Sequence, residues 1–458
     1  NIFVYASRND LLILDRTNSS GDDAGHNLIT NSVEEFKDAF TTATDQIVLE
    51  FDTFANLSVP SESGAIQKVF VSNGGGQGYT KLPTVSVTST SGENAVLSAT
   101  TENIGAVKSI KINDGGFNYV SGKPPDATFR AHFVLKDVSG TFANEVKNSA
   151  TVFMYHKFGV SKYPSTSVTI DQLNSHIEEL TKEKYTIKSL DFIIDTILND
   201  GDLPANTIGI SVDDADKSFL EVGWPLFKEN NIPVTLFVTT GTISNNKKYI
   251  NWDQIRKLKE EGVVIGAHSH THAHMPDISI EEVRNEIETS NKIFLKELGE
   301  IPTLFAFPYG ETTDEIIELV KEFKFKVAFG QHSGIINETS NMYYLPRFSL
   351  NERYGEIDRV KFAASSKGLG VYDFIPKNPT IEQNPPFIGF SLLDDKKAKS
   401  LDCFVFDSKG QVDREVYKFN ERIEIRLDRK LSPGRSRMNC TVKDSDGNWR
   451  WFGHQFYF

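Results

Sequence analysis

Ile210-Ser211-Val212-Asp213-Asp214-Ala215 closes an apolar run, Thr207-Ile208-Gly209-Ile210, that reads as a buried strand. The strand runs out into two adjacent carboxylates. Two acids side by side at a strand end repel each other, so each calls for a compensating proton or cation. A distant counterpart, Ala267-His268-Ser269-His270-Thr271-His272-Ala273-His274, follows a second apolar run, Gly262-Val263-Val264-Ile265-Gly266, and opens into four histidines in seven residues. A divalent cation held by one Asp and two His answers that charge. Mixed nitrogen and oxygen donors suit zinc, with cobalt or nickel as substitutes. His268 and His272 stand four apart. A single helical or turn-like wind brings their rings to one side and sends His270 elsewhere, while an extended chain puts all three on one face. Alone, the histidines also read as a solvated loop and Asp-Asp as a turn or helix cap. Their joint occurrence at two strand ends favours the metal site.

Working outward, strands and helices alternate from Ala150 onward. Strand 151–156 ends in His156, and helix 170–182 follows an N-cap at Thr169. Helix 190–198 precedes the Asp-Asp strand; helix 218–230 and strand 234–238 come after it. Helix 252–260 leads to the histidine strand. Ser279 and Glu282 form a capping box for helix 279–298. Strand 303–307, helix 313–323 and strand 327–329 complete the series. Serial β-then-α order defines an α/β fold and implies a barrel of parallel strands with reactive groups at their C-terminal ends.

Three ordered motifs carry a family resemblance. Asp213-Asp214 in Ser-Val-Asp-Asp-Ala resembles the Thr-Phe-Asp-Asp-Gly motif of the NodB-homology polysaccharide deacetylases (carbohydrate esterase family 4). His268-Ser269-His270-Thr271-His272 fits that family's His-(Ser/Thr)-x-x-His, and Phe305-Ala306-Phe307-Pro308-Tyr309-Gly310 resembles its Arg-x-Pro-Tyr motif. The resemblance spans residues from near Thr151 to near Pro376. It implies a distorted, seven-stranded (β/α) barrel of the NodB type, metal ligation by Asp214, His268 and His272, and Asp213 as catalytic base. The backbone N–H of Tyr309 would hold the oxyanion. The products would be acetate and a glucosamine unit.

The chain departs from the pattern in two places. Ala306 stands where many members carry the Arg that orients the base; Arg347, in Leu345-Pro346-Arg347-Phe348, is the candidate replacement, its bland role being an ordinary ion pair. The Leu-x-His motif bearing the general acid is absent. His156 and His332, each at a strand end facing the barrel mouth, are the substitutes, with a structural role as the alternative for each. His274 reads as packing behind the ligands. Phe-Ala-x-Pro-Tyr and the Met154-Tyr155-His156 opening strand resemble the poly-N-acetylglucosamine branch of the family.

The chain has 458 residues, more than one ordinary core holds, and a formal charge of −13. That charge argues against nucleic acid and anionic membrane surfaces as partners. No apolar run approaches the roughly 20 residues of a membrane span. The chain opens at Asn1 with neither an initiator Met nor a basic-then-apolar leader, which points to a processed or truncated product whose missing part could carry an export signal. An extracellular, periplasmic or cell-surface location follows.

Four segments are expected. Residues 1–60 are mixed. Residues 61–148 form an all-β repeat domain in which Gly64 to Tyr79 is echoed from Gly105 to Tyr119, each copy an alternating strand with a glycine turn read as a β-hairpin. Such repeats resemble modules of marine tailed-phage structural proteins, which adds a virion-associated location. Residues 149–378 are the catalytic domain. A proline-rich linker, Pro376-Lys377-Asn378-Pro379 and Asn384-Pro385-Pro386, leads to a C-terminal β-sandwich, 379–458. There Cys403 and Cys440 either pair or remain buried thiols. Trp449, Trp451, Phe452, Phe456 and Tyr457 are either core packing or a sugar platform. The leading function is removal of N-acetyl groups from a GlcNAc-containing polysaccharide. Alternatives are an O-acetyl esterase acting on a polymer such as acetylxylan, and a non-catalytic glycan-adhesion or phage tail-associated protein.

Overall fold

The computed structural model describes residues 146–458 and, ahead of them, ten strands between Ile2 and Val134. Contacts divide the chain into two units, one of residues 1–142 with 424–429, the other of 143–423 with 430–458.

In the first unit, Ile2–Ala6, Leu11–Asp15 and Asn27–Thr30 form an antiparallel sheet, and seven later strands form another. The repeat strands are present at Lys68–Val71 and Ser109–Phe117. In the second copy Asp114-Gly115-Gly116 is not a turn. It lies inside Ser109–Phe117, paired with Glu93–Thr100, where Val96 faces Asp114 and Leu97 faces Ile112, so Asn113 is bulged out. Glycines within a strand favour such a bulge as readily as a turn. Within the mixed segment 1–60, residues 18–25 and 33–40 lie outside the described residues, as does the glycine turn of the first repeat copy at 73–79.

The second unit is built on a parallel sheet. Its strands are β1 (Ala150–Tyr155), β2 (Thr207–Asp213), β3 (Thr235–Val238), β4 (Val264–Ala267), β5 (Leu304–Ala306), β6 (Val327–Phe329) and β7 (Phe348–Ser349). Their order is β6-β5-β4-β3-β2-β1-β7, all parallel, with Thr186–Ile187 beside the start of β2. These are the parallel strands that the β-then-α order implied, and their number, seven, is the one that the resemblance implied. Helices α1 (Ile170–Leu180), α2 (Leu190–Leu198), α3 (Trp224–Glu229), α4 (Trp252–Glu260), α5 (Ile280–Leu298), α6 (Asp314–Glu322) and α7 (Ile357–Ser365) accompany it. All seven residues of β2 are buried, as expected of a strand covered on both faces. β1 gives Ala150 and Val152 to one apolar cluster, with Phe237, Ala306 and Phe329, and Phe153 and Tyr155 to another.

Thr169 and Ser279 cap α1 and α5 with complete capping boxes. Helix 218–230 is not continuous. Phe219–Gly223 winds with a wider repeat before α3 begins. Pro225 has no N–H to return to Glu221, and that missing bond lets the turn widen.

The C-terminal part of this unit is β-rich. β8 (Lys367–Gly368), β9 (Val371–Ile375), β10 (Ile388–Leu392), β11 (Asp402–Asp407), β12 (Gly410–Val412), β13 (Arg435–Lys443) and β14 (Trp449–Tyr457) include a sheet of order β8-β14-β13-β11-β12. Burial alternates along β13, and Cys440 lies opposite Cys403 on β11, to which it is disulfide-bonded. Among the aromatics of β14, Phe456 is buried and Trp451 and Phe452 are partly buried, while Trp449 is 40% exposed. Trp451 meets Phe348 edge-on at 4.9 Å and Phe362 at 5.6 Å, and Phe452 contacts Phe374 and Phe390.

The proline-rich segment is a packed strap and not a free linker. Pro379, Ile381, Pro385 and Pro386 are buried. Tyr457 N–H donates to Pro379 O, Ile381 N–H to Tyr457 O, and the Thr380 hydroxyl to Thr312 O. Proline fixes φ without deciding whether the strap meets solvent or protein. The sheet also presses directly on the half-barrel: a β-carbon on Gly453 would stand 1.7 Å from Ser333 O. Gly453→Ala must force the two apart, at a cost of at least about 1–3 kcal/mol. The expected readout is a lowered Tm without a change in the circular dichroism of the folded state.

Candidate active site

Asp213 is the last residue of β2 and is wholly buried. Asp214 follows in the left-handed region, at φ +75°, and Ala215 at φ +58°, so the two carboxylates leave the strand in different directions. Asp213 accepts two hydrogen bonds from Arg347, Nη1 to Oδ1 at 2.7 Å and Nη2 to Oδ2 at 2.9 Å. The guanidinium is itself buried. Its Nε donates to Gly330 O at 3.0 Å, Nη1 also reaches Ser211 Oγ at 3.2 Å, and its plane lies over Phe237 and Phe329. Ala306 belongs to the same apolar cluster as those rings, and Arg347 reaches Asp213 from the segment between β6 and β7. Burial alone would raise the Asp213 carboxyl, but Arg347, with His268 and His156, holds it below the ordinary carboxylate range.

His268 continues β4 as a buried residue. Its Nδ1–H donates to Ala306 O at 2.7 Å, which fixes the tautomer and leaves the Nε2 lone pair free. The chain then turns back. Ser269 stands at φ +60° and its Oγ accepts from His272 N–H at 3.1 Å, with His272 at φ +62°. The turn-like geometry is therefore adopted: the His268 and His272 rings lie 4.9 Å apart, and His270 points away to Thr240. Glu286 of α5 secures the turn by accepting from His270 N–H, Thr271 N–H and the Thr271 hydroxyl. A capping box at one end of α5 and this carboxylate along it are the local means by which sequence positions the turn.

Asp214 Oδ1 lies 3.4 Å from His272 Nε2 and 3.7 Å from His268 Nε2. One donor atom from each of the three residues falls within 4.8 Å of the others. The chemistry of the group fits a divalent cation. His268 Nε2 is a buried nitrogen with no hydrogen-bond partner, an arrangement that is costly unless something else uses the lone pair. Burial and the neighbouring His268 push the His272 imidazole down to about 4, so at neutral pH it too offers a lone pair.

The remaining candidates divide. Tyr309 stands at φ +59°, its ring 4.5 Å from that of His272. His156, directly after β1, is half-buried; burial outweighs the opposing Asp214 and Asp213 charges and holds its imidazole below the ordinary value. The structure does not bring His332 to this cluster. Its ring packs on Tyr344 and His454, at 4.7 and 5.9 Å, against the C-terminal sheet. His274 stacks flat on Tyr309 at 3.8 Å and donates from Nδ1 to Glu311 Oε2 at 2.6 Å. Sequence reasoning passed over Ser211, Gly330, Glu286 and Gln455. Only Glu286 left a signal, an acid among the buried positions of an amphipathic helix.

Residues 200–328 match the polysaccharide deacetylase family. With the half-barrel and the Asp-His-His cluster, the chain carries a NodB-type polysaccharide deacetylase domain, and the protein is an enzyme of the deacetylase class. It is similar to the poly-beta-1,6-N-acetyl-D-glucosamine N-deacetylase of Staphylococcus aureus, 25% identical over 259 residues that cover 50% of this chain and 88% of the relative. The putative polysaccharide deacetylase YxkH of Bacillus subtilis is 19% identical over 229 residues, 50% of this chain and 81% of that one. Among solved structures, the Streptococcus pyogenes deacetylase PplD in complex with acetate aligns with 47% of this chain and 97% of its own, at 19% identity and a TM-score of 0.44.

Proposed function

We propose that the protein is a metal-dependent N-deacetylase of a GlcNAc-containing polysaccharide, whether chitin-like, peptidoglycan or poly-N-acetylglucosamine, and that it releases acetate. The observation that carries this reading is the bidentate Arg347–Asp213 pair set beside the three candidate ligands Asp214, His268 and His272. The curated relative named for poly-β-1,6-N-acetylglucosamine supports the choice of substrate class. Such a polymer places the enzyme outside the cytoplasm. Among the described residues no helix is long and apolar enough to cross a membrane.

Asp214, His268 and His272 would hold a divalent cation, zinc first and cobalt or nickel as substitutes; bound there, it supplies a Lewis acid that acidifies water and polarises the acetyl carbonyl. Asp213, held ionised and oriented by Arg347, accepts the proton from the attacking water. The water oxygen bonds to the amide carbon, and the backbone N–H of Tyr309 stabilises the negative oxygen that develops. The carbon–nitrogen bond then breaks, and the nitrogen leaves as an amine after taking up a proton. His156, within the field of both carboxylates, is the group assigned to deliver it.

Acetate release measured across chitooligosaccharides, poly-N-acetylglucosamine and acetylxylan tests the reading; acetate from acetylxylan alone would replace it with O-deacetylation. Exhaustive chelation is expected to lower turnover to about 1% or less, with recovery on adding zinc, in line with the several kcal/mol a Lewis acid contributes. His268→Ala is expected to lose the bound metal, read by elemental analysis. Undiminished hydrolysis by a stripped preparation sinks the proposal.

A further inference from the structure

Gln455 lies on β14, far from the barrel strands in sequence, and is completely buried. Its Nε2 donates to Gly310 O at 2.8 Å and to Tyr309 O at 3.3 Å. The Tyr344 hydroxyl donates to the same Gly310 carbonyl at 2.8 Å. From the adjacent strand β13, Arg435 comes to 3.4 Å from Glu311 Oε1 and lies over the Tyr309 ring at 5.7 Å. His274 stacks flat on the same ring at 3.8 Å. The loop carrying Tyr309 is thus gripped by the barrel on one side and by the C-terminal sheet on the other.

The grip has something to hold. A non-glycine residue in the left-handed region, as Tyr309 is, is strained and persists only where its surroundings fix it. Two carbonyls in succession tied to one buried amide fix the peptide planes on both sides of Gly310, and the first of these planes sets the ψ of Tyr309. We infer that the C-terminal sheet is a working part of the active site, with Gln455 as the positioning residue that sets the Tyr309 backbone. The kinetic consequence rests on the deacetylase reading, in which the N–H of Tyr309 meets the developing oxyanion.

The test uses the full chain loaded with zinc. Gln455→Leu keeps the volume and removes the two donors. It is expected to lower kcat about 10- to 100-fold, the scale set by small misplacements of a catalytic group. KM should stay within about twofold, zinc content unchanged, and deuterium exchange of the peptide 304–313 faster. Tyr457→Phe is the control. It deletes a hydroxyl bonded to Asp277 across the same boundary and should leave kcat and that peptide's exchange as in the parent. Arg435→Met should act in the same direction as Gln455→Leu, more weakly. Parental kcat and exchange in Gln455→Leu overturn the inference, as does a loss of kcat matched by lost zinc or by the control. If Gln455→Leu does not fold, Arg435→Met decides alone, and unchanged exchange at 304–313 overturns it. A parent without deacetylase activity defeats the proposed reaction instead, while the exchange comparison still decides whether Gln455 holds the loop.

Discussion

Asp213→Asn should retain its zinc and lose at least about a thousandfold in acetate release, toward the upper end of what a positioned general base contributes. The substitution leaves the shape of the side chain almost intact and spares Asp214, His268 and His272, so metal content separates base from ligand. An amide cannot take a proton from water at neutral pH. Nor can it accept both hydrogen bonds that Arg347 directs at Oδ1 and Oδ2. Some stability is therefore lost as well, moderated by the carbonyl of Gly330 and the aromatic faces of Phe237 and Phe329, which still receive the guanidinium. Turnover preserved in Asp213→Asn would end its assignment as base.

Arg347→Met should be the most destabilising single change at the site. Removing one member of a buried ion pair leaves the other charged and unpaired, a loss of about 3–5 kcal/mol. Burial then pushes the Asp213 carboxyl up against only His268 and His156, so the variant is expected to fall in both unfolding midpoint and kcat. Arg347→Lys tests geometry apart from charge: a single ammonium cannot reach both carboxylate oxygens in the plane that Arg347 does. It should regain part of the stability and little of the rate. Chemical denaturation with parallel acetate assays checks both. A methionine variant as stable as the parent would show that Asp213 is not charged in the folded protein.

Local signals in the chain were enough for the half-barrel. Apolar runs ending in Asp213 and Ala267 became strands, the first wholly and the second partly buried, and the Thr169 and Ser279 caps began helices where side-chain chemistry said they should. The candidate ligands were legible for the same reason, since each half is contiguous and one Ser-mediated turn brings His272 back to His268. What could not be read is what arrives from far along the chain. Arg347 was legible as the replacement for the missing Arg through the resemblance alone, with an ordinary ion pair as its other reading; Ser211 and Gly330, which cradle it, carry no pattern. Gln455 meets Gly310 across 145 residues, and no periodicity announces such a contact. The ring of His332 turns to Tyr344 and His454 because the C-terminal sheet, whose placement the sequence does not state, offers the apolar wall there. Prolines between 376 and 386 likewise specified an extended path and not the surface it lies on.

The backbone at the mouth has its own consequence. Asp214, Ala215, Ser269, His272 and Tyr309 all lie in the left-handed region without being glycine. A protein optimised for thermal endurance would be expected to relax these positions first, Ala215→Gly being the simplest route. The same relaxation would loosen the angles at which the acid and the two imidazoles face one another. Hardiness and chemical competence therefore draw on one small set of torsions, and directed evolution toward heat tolerance should find its gains elsewhere on the molecule.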